Sequence, residues 1–413
     1  MLILGAGPAG LACGIAAAMC GTRVIILEKN DRPGVKLRIS GSGQCNLTHG
    51  GSIEQFLNHY GDTKKSRFVK PALFTFSNAD TMRFFEQHGV SLFERENGKI
   101  FPRSLQSDDV VHALIDTYQA NGGELSTGVD IRAVRRTNEG FLVETNQGAF
   151  ASNQLVIATG GMSYPRTGST GDGYRFARQF GHRIVPPRPA LTPVIVEQYP
   201  FADAAGISFE DVPISLYRKS NDRSGKKIRQ GHGDVLLTHH GLSGPGILDL
   251  SRFLEPKDML RFPICRNVID LKTLLTGKRL LKNALFPLGI PDRLLLQLFT
   301  ELGISSELLA TEVDRHVRRR LEHSLCNFEF AVKQLGDFGE AMATSGGVTL
   351  EEVNRQTMES RLVSGLFFCG EVLDVDGDTG GYNIQFALSS GFLAGTYCAR
   401  ARGSVRMDKT SVL

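Results

Sequence analysis

Three glycines with different duties open the chain: the run Leu2-Ile-Leu4 ends in Gly5, Gly7 and Gly10, and a second apolar run, Val24 to Leu27, ends in Glu28. Gly5 permits a tight turn out of a strand. Gly7 lets the backbone come close to a pyrophosphate, and Gly10 lets the following helix pack on the sheet. That helix, through Leu11, Ile15 and Met19, points its free N-terminal N–H groups at phosphates. Glu28 accepts from ribose hydroxyls, so the whole pattern reads as a site for an adenine dinucleotide. Glycine is abundant, at 46 residues, and the motif alone would be weak. Its place between a strand and a small-residue helix, upstream of an acid at the right distance, gives it force.

A second group able to do chemistry follows at 34–48. Lys36 and Arg38 bring positive charge, Ser40 to Gly43 allow close backbone approach, and Asn46 and Thr48 add directional polar groups. Such a loop suits a phosphate or a flavin edge, or is simply a surface turn. Near the other end, Gly370-Glu-Val-Leu-Asp-Val-Asp-Gly377 leads into Gly380-Gly-Tyr-Asn-Ile-Gln385. A helix starting near Asn383 aims its amides at an anion or an electron-rich ring oxygen. Asp374, Asp376 and Asp378 lack the register of a calcium loop, and no metal site is expected. Tyr382 and Cys45 are the candidate proton donors, since phenols and thiols of ordinary pKa, about 10 and 8.5, are protonated at neutral pH.

The elements that must position these groups alternate. Helices are expected near Ile53 to His59, Ala79 to His88 and Ser107 to Gln119, with a hairpin from Phe93 to Pro102 turning at Asn97-Gly98. Val129 to Arg136 and Gly140 to Thr145 read as paired strands, and Leu155 to Gly161 as a buried strand ending in glycines. Gly168-Ser-Thr-Gly-Asp-Gly173 then caps a helix from Tyr174 to Phe180 or forms a second anion cradle. After Pro186, Pro187 and Pro189 come short β-like runs at Val194 to Gln198, Val212 to Arg218 and Asp234 to Thr238. A more helical stretch is expected from about Leu271 to Phe338. The last segment returns to a strand, Leu366 to Gly370, and a helix whose small face is Ala387, Ser389, Gly391 and Gly395.

A chain of 413 residues suggests two or three domains, and 41% hydrophobic with 22% charged residues excludes disorder. With 47 basic against 43 acidic residues the net charge is +4, too mild to make nucleic acid the expected partner. The uncharged N-terminal stretch lacks a basic leader and is broken by glycines and Pro8, so it reads as the core of a cytoplasmic protein, with no transmembrane segment. Seven cysteines without a CxxC pair fit a reducing compartment and remove dithiol chemistry. Nothing in the pattern specifies an oligomeric state.

The N-terminal strand-turn-helix with Glu28, the strand Leu155 to Gly160 and Cys369-Gly-Glu together resemble an FAD-binding flavoprotein of the two-dinucleotide-binding superfamily. The strings Lys36-Leu-Arg-Ile-Ser-Gly-Ser-Gly-Gln-Cys-Asn46, Gly168-Ser-Thr-Gly-Asp-Gly-Tyr174, Gly241-Leu-Ser-Gly-Pro245, Thr357-Met-Glu-Ser360 and the 370–385 segment resemble, more particularly, the BaiN-like (YhiN-like) bacterial NAD(P)/FAD-dependent oxidoreductases. The resemblance runs over nearly the whole chain. It implies an α/β fold: a discontinuous Rossmann-like FAD-binding domain, 1–188 with 342–413, interrupted by a β-rich insertion with a helical part, 189–341, that covers the flavin. It further implies that Gly5, Gly7 and Gly10 flank the FAD pyrophosphate, Glu28 its adenosine ribose, and the 36–46 loop and 370–385 segment its flavin half. The implied cofactor-contacting set also takes in Pro8, Ala9, Lys29, Val129, Thr159 and Gly160. From the loop it draws Lys36, Arg38, Ser40, Gly41, Gln44, Cys45 and Asn46, and from the last segment Gly370, Glu371, Asp376, Gly381, Tyr382, Asn383 and Ile384. Two departures stand out. Gln44 occupies a position often arginine in the family, which removes a fixed positive charge, and the chain begins directly on its first strand.

The implied activity is hydride transfer from NAD(P)H through FAD to an organic acceptor. The 25 phenylalanines fit an apolar small molecule such as an enone, or a plain core. No second dinucleotide fingerprint is present, so the nicotinamide is expected as a transient donor. The competing reading is a flavin-containing regulatory protein that contacts RNA or another anion through the basic helix at 315–323.

Overall fold

The computed structural model describes residues 1–218, 225–265 and 270–400. Two compact units emerge, Met1–Pro189 with Met342–Leu413, and Ala190–Ala341.

The first unit is organised by five short parallel strands: β1 (Leu2–Leu4), β2 (Ile25–Leu27), β3 (Glu124–Ser126), β4 (Leu155–Ile157) and β5 (Leu366–Phe368), in the order β5-β4-β1-β2-β3. Leu2 pairs with Ile25 on one side and Leu155 on the other, and Leu155 with Leu366. β1, β4 and β5 are buried throughout, as unbroken Leu/Ile/Val/Phe runs require when both faces of a sheet are covered. The chain leaves β1 towards β2 while β4 pairs on the opposite edge. The carboxyl ends of β1 and β4 therefore flank a topological switch point, where such sheets hold ligands.

Helix α1 (Pro8–Met19) follows the glycine turn; α2 (Thr63–Thr75), α3 (Asn78–Gln87), α4 (Ser107–Ala120), α5 (Asp172–Gln179) and α6 (Tyr382–Arg400) complete the main helices of the unit. α1 and α6 touch backbone to backbone. A Cβ on Gly391 would lie 2.3 Å from Ala9 O, and one on Gly395 2.2 Å from Cys13 O. The expected small face of α6 is thus the α1 contact at these two glycines. Ser389 lies elsewhere: its hydroxyl donates to Phe76 O at 2.6 Å.

The sequence reading missed α2, whose Thr-Lys-Lys-Ser-Arg start and internal Pro71 mask its apolar Phe68, Val69, Ala72 and Leu73. It also missed a third strand, Gly148–Ser152, beside the pair anticipated at Val129 to Arg136 and Gly140 to Thr145, which forms over Ile131–Thr137 and Gly140–Thr145. The hairpin formed by Leu92–Glu94 and Lys99–Pro102 is as expected.

In the second unit six strands close a barrel, in the order Val194–Val196, Gly241–Ser243, Lys226–Leu237, Ser208–Arg218, Met259–Phe262 and Phe328–Leu335. The helical expectation for 271–338 fails at its end. Phe328, Phe330 and Val332 are buried while Glu329 is exposed, a period of two that pairs the segment with Met259–Phe262. Asp292–Glu301 and Arg315–Cys326 are helical.

A buried histidine sets one pH response of the first unit. His182 Nε2 is 2.8 Å from Ser360 Oγ, and Nδ1 lies 3.3 Å from Glu352 Oε2 without hydrogen-bond geometry. Burial lowers its pKa below the ordinary 6.5, with Glu352 opposing more weakly. The unfolded chain then binds the proton more readily than the folded one. This contribution to stability is complete above about pH 6.5 and is lost as pH falls through the lowered folded value. Urea melts between about pH 5 and 7 should lose part of their acid-side slope in His182→Gln; an identical slope would assign the response to other groups.

Candidate active site

At the carboxyl edge of the sheet, Gly5 adopts φ +101°, and a Cβ there would meet Ala158 O at 2.7 Å. A Cβ on Gly10 would fall 2.0 Å from Gly5 O, whereas one on Gly7 would meet nothing within 4 Å. Gly10 is therefore a packing glycine, and Gly7 borders open space beside the N-terminus of α1, which Pro8 begins. Glu28, 7% exposed, is fixed by the turn itself: Oε2 accepts from Ala6 N–H at 2.7 Å, and Oε1 from Asn30 N–H and Nδ2 at 2.9 and 2.8 Å. Oε2 keeps an acceptor site for a hydroxyl. Buried Val129 donates its N–H to Glu28 O at 2.9 Å, which places it at the same end. Lys29 is held by Thr170 Oγ1 at 2.5 Å and Asp172 Oδ2 at 2.8 Å. The 168–173 loop is thereby tied beside Glu28. Thr159 turns its hydroxyl towards Gly173 on α5, which leaves its backbone and that of Gly160, at φ +73°, along the edge.

The 36–46 loop is more internally bonded than its composition suggests. Lys36 Nζ meets Glu371 Oε2 at 2.7 Å and Oε1 at 3.0 Å. Ser163 Oγ and the Thr344 N–H donate to the same Oε1 at 3.0 and 2.8 Å. Lys36 is thus the counter-ion of Glu371, and its charge reaches any ligand largely compensated. Arg38 pairs with Asp108 on α4, and Ser40 Oγ donates to Leu37 O at 2.7 Å. Gly41 and Gly43 take φ +56° and +85°. Gln44 Oε1 accepts from Arg95 Nη2 at 2.8 Å, so a guanidinium from the 92–102 hairpin stands beside the position where the expected charge was absent. With its side-chain amide turned so that both ends are satisfied, Asn46 would donate to Thr48 O at 3.1 Å and accept from the Gly381 N–H at 3.3 Å, joining this loop to the last segment. Burial argues against Cys45 as a proton donor. Its thiol has no exposure, and burial pushes its pKa up to about 12.

The last segment is anchored by charge. Lys65 on α2 pairs with Asp376 and, at 3.0 Å, with Asp374. Burial works against the lysine's charge, but the two carboxylates outweigh it and raise its pKa. His59 Nδ1 meets Asp378 Oδ2 at 2.8 Å. Asp374 and Asp376 are therefore ion-pair partners of Lys65, and Asp378 is a hydrogen-bond partner of His59; among the described residues no cluster of three or more metal-ligating side chains occurs. Gly381, at φ +95°, admits Thr48, whose Cα would lie 2.6 Å from an added Cβ. Asn383 Oδ1 accepts from Gly377 N–H at 2.8 Å and its Nδ2 donates to Gly377 O at 3.0 Å, a loop clamp. Half-buried Ile384 adds another first-turn amide on α6. Tyr382 is buried between two imidazoles, its ring 4.1 Å from His59 and 5.3 Å from His49, both stacked. Gly370 packs on α1, where a Cβ would stand 2.6 Å from the Ala9 methyl.

The family model described as HI0933-like protein Rossmann domain matches residues 1–397. The chain belongs to the HI0933-like family. It is 30% identical over 414 residues to the ribosomal RNA dihydrouridine synthase of Escherichia coli (strain K12), covering 98% of each chain. It is also 30% identical over 418 residues to the 3-dehydro-bile acid delta(4,6)-reductase of Clostridium scindens, covering 96% of this chain and 98% of that one. A solved E. coli quinol fumarate reductase FrdA chain shares the fold with a TM-score of 0.51 at 15% identity, over 100% of this chain and 72% of that one.

Membership makes the chain an FAD-dependent oxidoreductase of the two-dinucleotide-binding flavoprotein superfamily. The residues present fit that cofactor: open space at Gly7, a helix start beside it, a fixed buried acid at the end of β2, and a second helix start at Tyr382. Sequence reasoning missed Arg95, Ser163, Thr344, Lys65, His49 and His59. Each enters through a partner far away in the chain, and none belongs to a contiguous motif. Among the described residues no helix is long and apolar enough to cross a membrane.

Proposed function

We propose that this HI0933-like protein reduces a carbon–carbon double bond conjugated to a carbonyl, with NAD(P)H as the transient hydride donor. Two relatives at 30% identity over nearly their full length support this reading, because their named products require the same bond chemistry. Making dihydrouridine saturates a ring double bond conjugated to a carbonyl. A delta(4,6)-reductase acting on a 3-oxo bile acid saturates bonds in conjugation with that oxo group. Each double bond saturated takes one hydride at its carbon distal to the carbonyl and one proton at its other carbon.

FAD supplies the hydride chemistry when bound. The chain's own residues hold and orient it. The open face at Gly7 and the α1 amides receive the pyrophosphate, Glu28 Oε2 and Val129 the adenosine end, and the loop and α6 start the flavin half. Arg95, beside Gln44, places positive charge near the carbonyl that gathers electron density. Tyr382 holds the proton. A cytoplasmic location suits the seven cysteines, all of which are free.

The test is anaerobic. Protein carrying FAD is bleached by NADH or by NADPH, then offered a 3-oxo-4,6-diene steroid in one arm and an unmodified ribosomal RNA transcript in the other. Recolouring of the flavin, with a dihydro product seen by mass spectrometry in either arm, is the expected result. A flavin that neither nicotinamide reduces, or that neither acceptor reoxidises, would overturn the reading.

A further inference from the structure

A groove of about 1150 Å³ lies in the first unit between α2, α3, residues 355–356 and the last turns of α6. Five cations line it, Arg67, Lys70, Arg83, Arg355 and Arg400, against one carboxylate, Asp80. All five are exposed. Asp80 is already committed: it accepts from the Ser77 N–H at 2.9 Å as part of a helix cap and lies 3.4 Å from Arg83. Among the described residues, Arg67, Lys70, Arg355 and Arg400 have no carboxylate partner within salt-bridge distance. Arg355 instead donates to Arg67 O at 3.3 Å, which sets the two guanidinium-bearing residues side by side. Cations gathered without counter-ions repel one another, so the arrangement is complementary to a polyanion.

Aromatic surface is interleaved with this charge. Phe74 is 53% exposed with Lys70 Nζ 5.6 Å from its ring centre, and half-buried Tyr397 carries Arg400 at 5.7 Å. A phosphodiester strand with unpaired bases uses both features, phosphates on the cations and bases on the rings. An acidic polypeptide would use only the first. The chain's own following residues do not complement the groove, since Arg402, Arg406 and Lys409 outnumber Asp408. The α6 residues of the groove, Phe392 to Arg400, lie about 15–27 Å along the helix from Tyr382, from the axial rise per residue. A few extended nucleotides cover that span.

We propose that this groove binds a single-stranded segment of RNA, several nucleotides away from the base that is reduced. The inference rests on the proposed reduction and selects its nucleic-acid branch. The net charge of +4 is no obstacle, because it averages over the whole chain a charge that is concentrated here.

The experiment uses the FAD-loaded full chain and a labelled single-stranded oligoribonucleotide, titrated at several salt concentrations. The double variant Lys70→Gln/Arg355→Gln removes two phosphate contacts. It should weaken binding about ten- to a hundred-fold at low salt and lower the slope of log affinity against log salt by about 1.4. Phe74→Ala should cost about ten-fold with the slope kept. Flavin content and the rate of bleaching by nicotinamide should stay unchanged in both. Unaltered RNA affinity and slope in the double variant would overturn the groove assignment and leave the reduction chemistry standing. Groove-dependent RNA binding by a protein that reduces neither acceptor would overturn the reaction and leave the groove. Loss of polyglutamate binding, or a raised KM for NADPH alone, with RNA affinity intact, would reassign the groove to an acidic protein or a nucleotide phosphate and overturn the proposal.

Discussion

Gly7→Val should abolish most FAD binding while the protein remains folded. Gly7 sits at φ −78° and ψ −179°, an extended conformation that valine adopts readily, and a Cβ there meets no protein atom within 4 Å. The substitution therefore places its methyl groups only in the space assigned to the pyrophosphate. Keeping the phosphates away from the α1 amides should lower affinity about 100- to 1,000-fold, or about 3–4 kcal/mol. The apo-protein melting temperature should change little. Gly10→Ala makes the contrast: its methyl would need to occupy a point 2.0 Å from Gly5 O, so the fold itself should suffer. Cys13→Ser, a change within the core, should reduce stability and leave FAD affinity near that of the parent. Titrating apo-protein with FAD, alongside thermal melts of all three, separates these outcomes. Parental FAD affinity in Gly7→Val would remove the pyrophosphate from this turn.

The geometry of the proposed dinucleotide half was legible in the sequence because its parts are contiguous: one strand, three spaced glycines, one helix and an acid at the next strand end. The α1–α6 seam was legible in part, since Gly391 and Gly395 recur at helical spacing, whereas Ser389 at the same level faces Phe76. Pairs separated by long stretches of chain were not legible. Nothing local to Gln44 points to Arg95, and nothing local to Glu371 points to Lys36, Ser163 and Thr344. Composition also misled in one direction. Lys36 and Arg38 look like ligand-seeking cations, yet each is neutralised by an acid from another element. In the opposite direction, Arg67, Lys70 and Arg355 vanish into a balanced charge count until folding gathers them. The strand Phe328–Leu335 was hidden because it directly follows the helix Arg315–Cys326, and its period of two spans too few residues to stand out.

Tyr382→Phe should slow oxidation of the reduced flavin by the organic acceptor about 100-fold, or about 3 kcal/mol, and leave reduction by the nicotinamide within about two-fold. The asymmetry follows from the chemistry: hydride reaches the flavin without needing a protein proton, whereas saturating a conjugated double bond requires one at the carbon beside the carbonyl. The side chain is suited to a fixed task. Its ring is clamped between His59 and His49, its carbonyl accepts from Tyr60 Oη at 2.9 Å, and it begins α6 beside Gly381. Phenylalanine preserves the ring and its stacking, so a loss confined to the oxidative half-reaction reports the missing hydroxyl. Stopped-flow absorbance of the two half-reactions, with the acceptor identified by turnover, measures this directly. Equal slowing of both halves would mark Tyr382 as a positioning residue for the flavin. Unchanged rates in both would assign the proton to water.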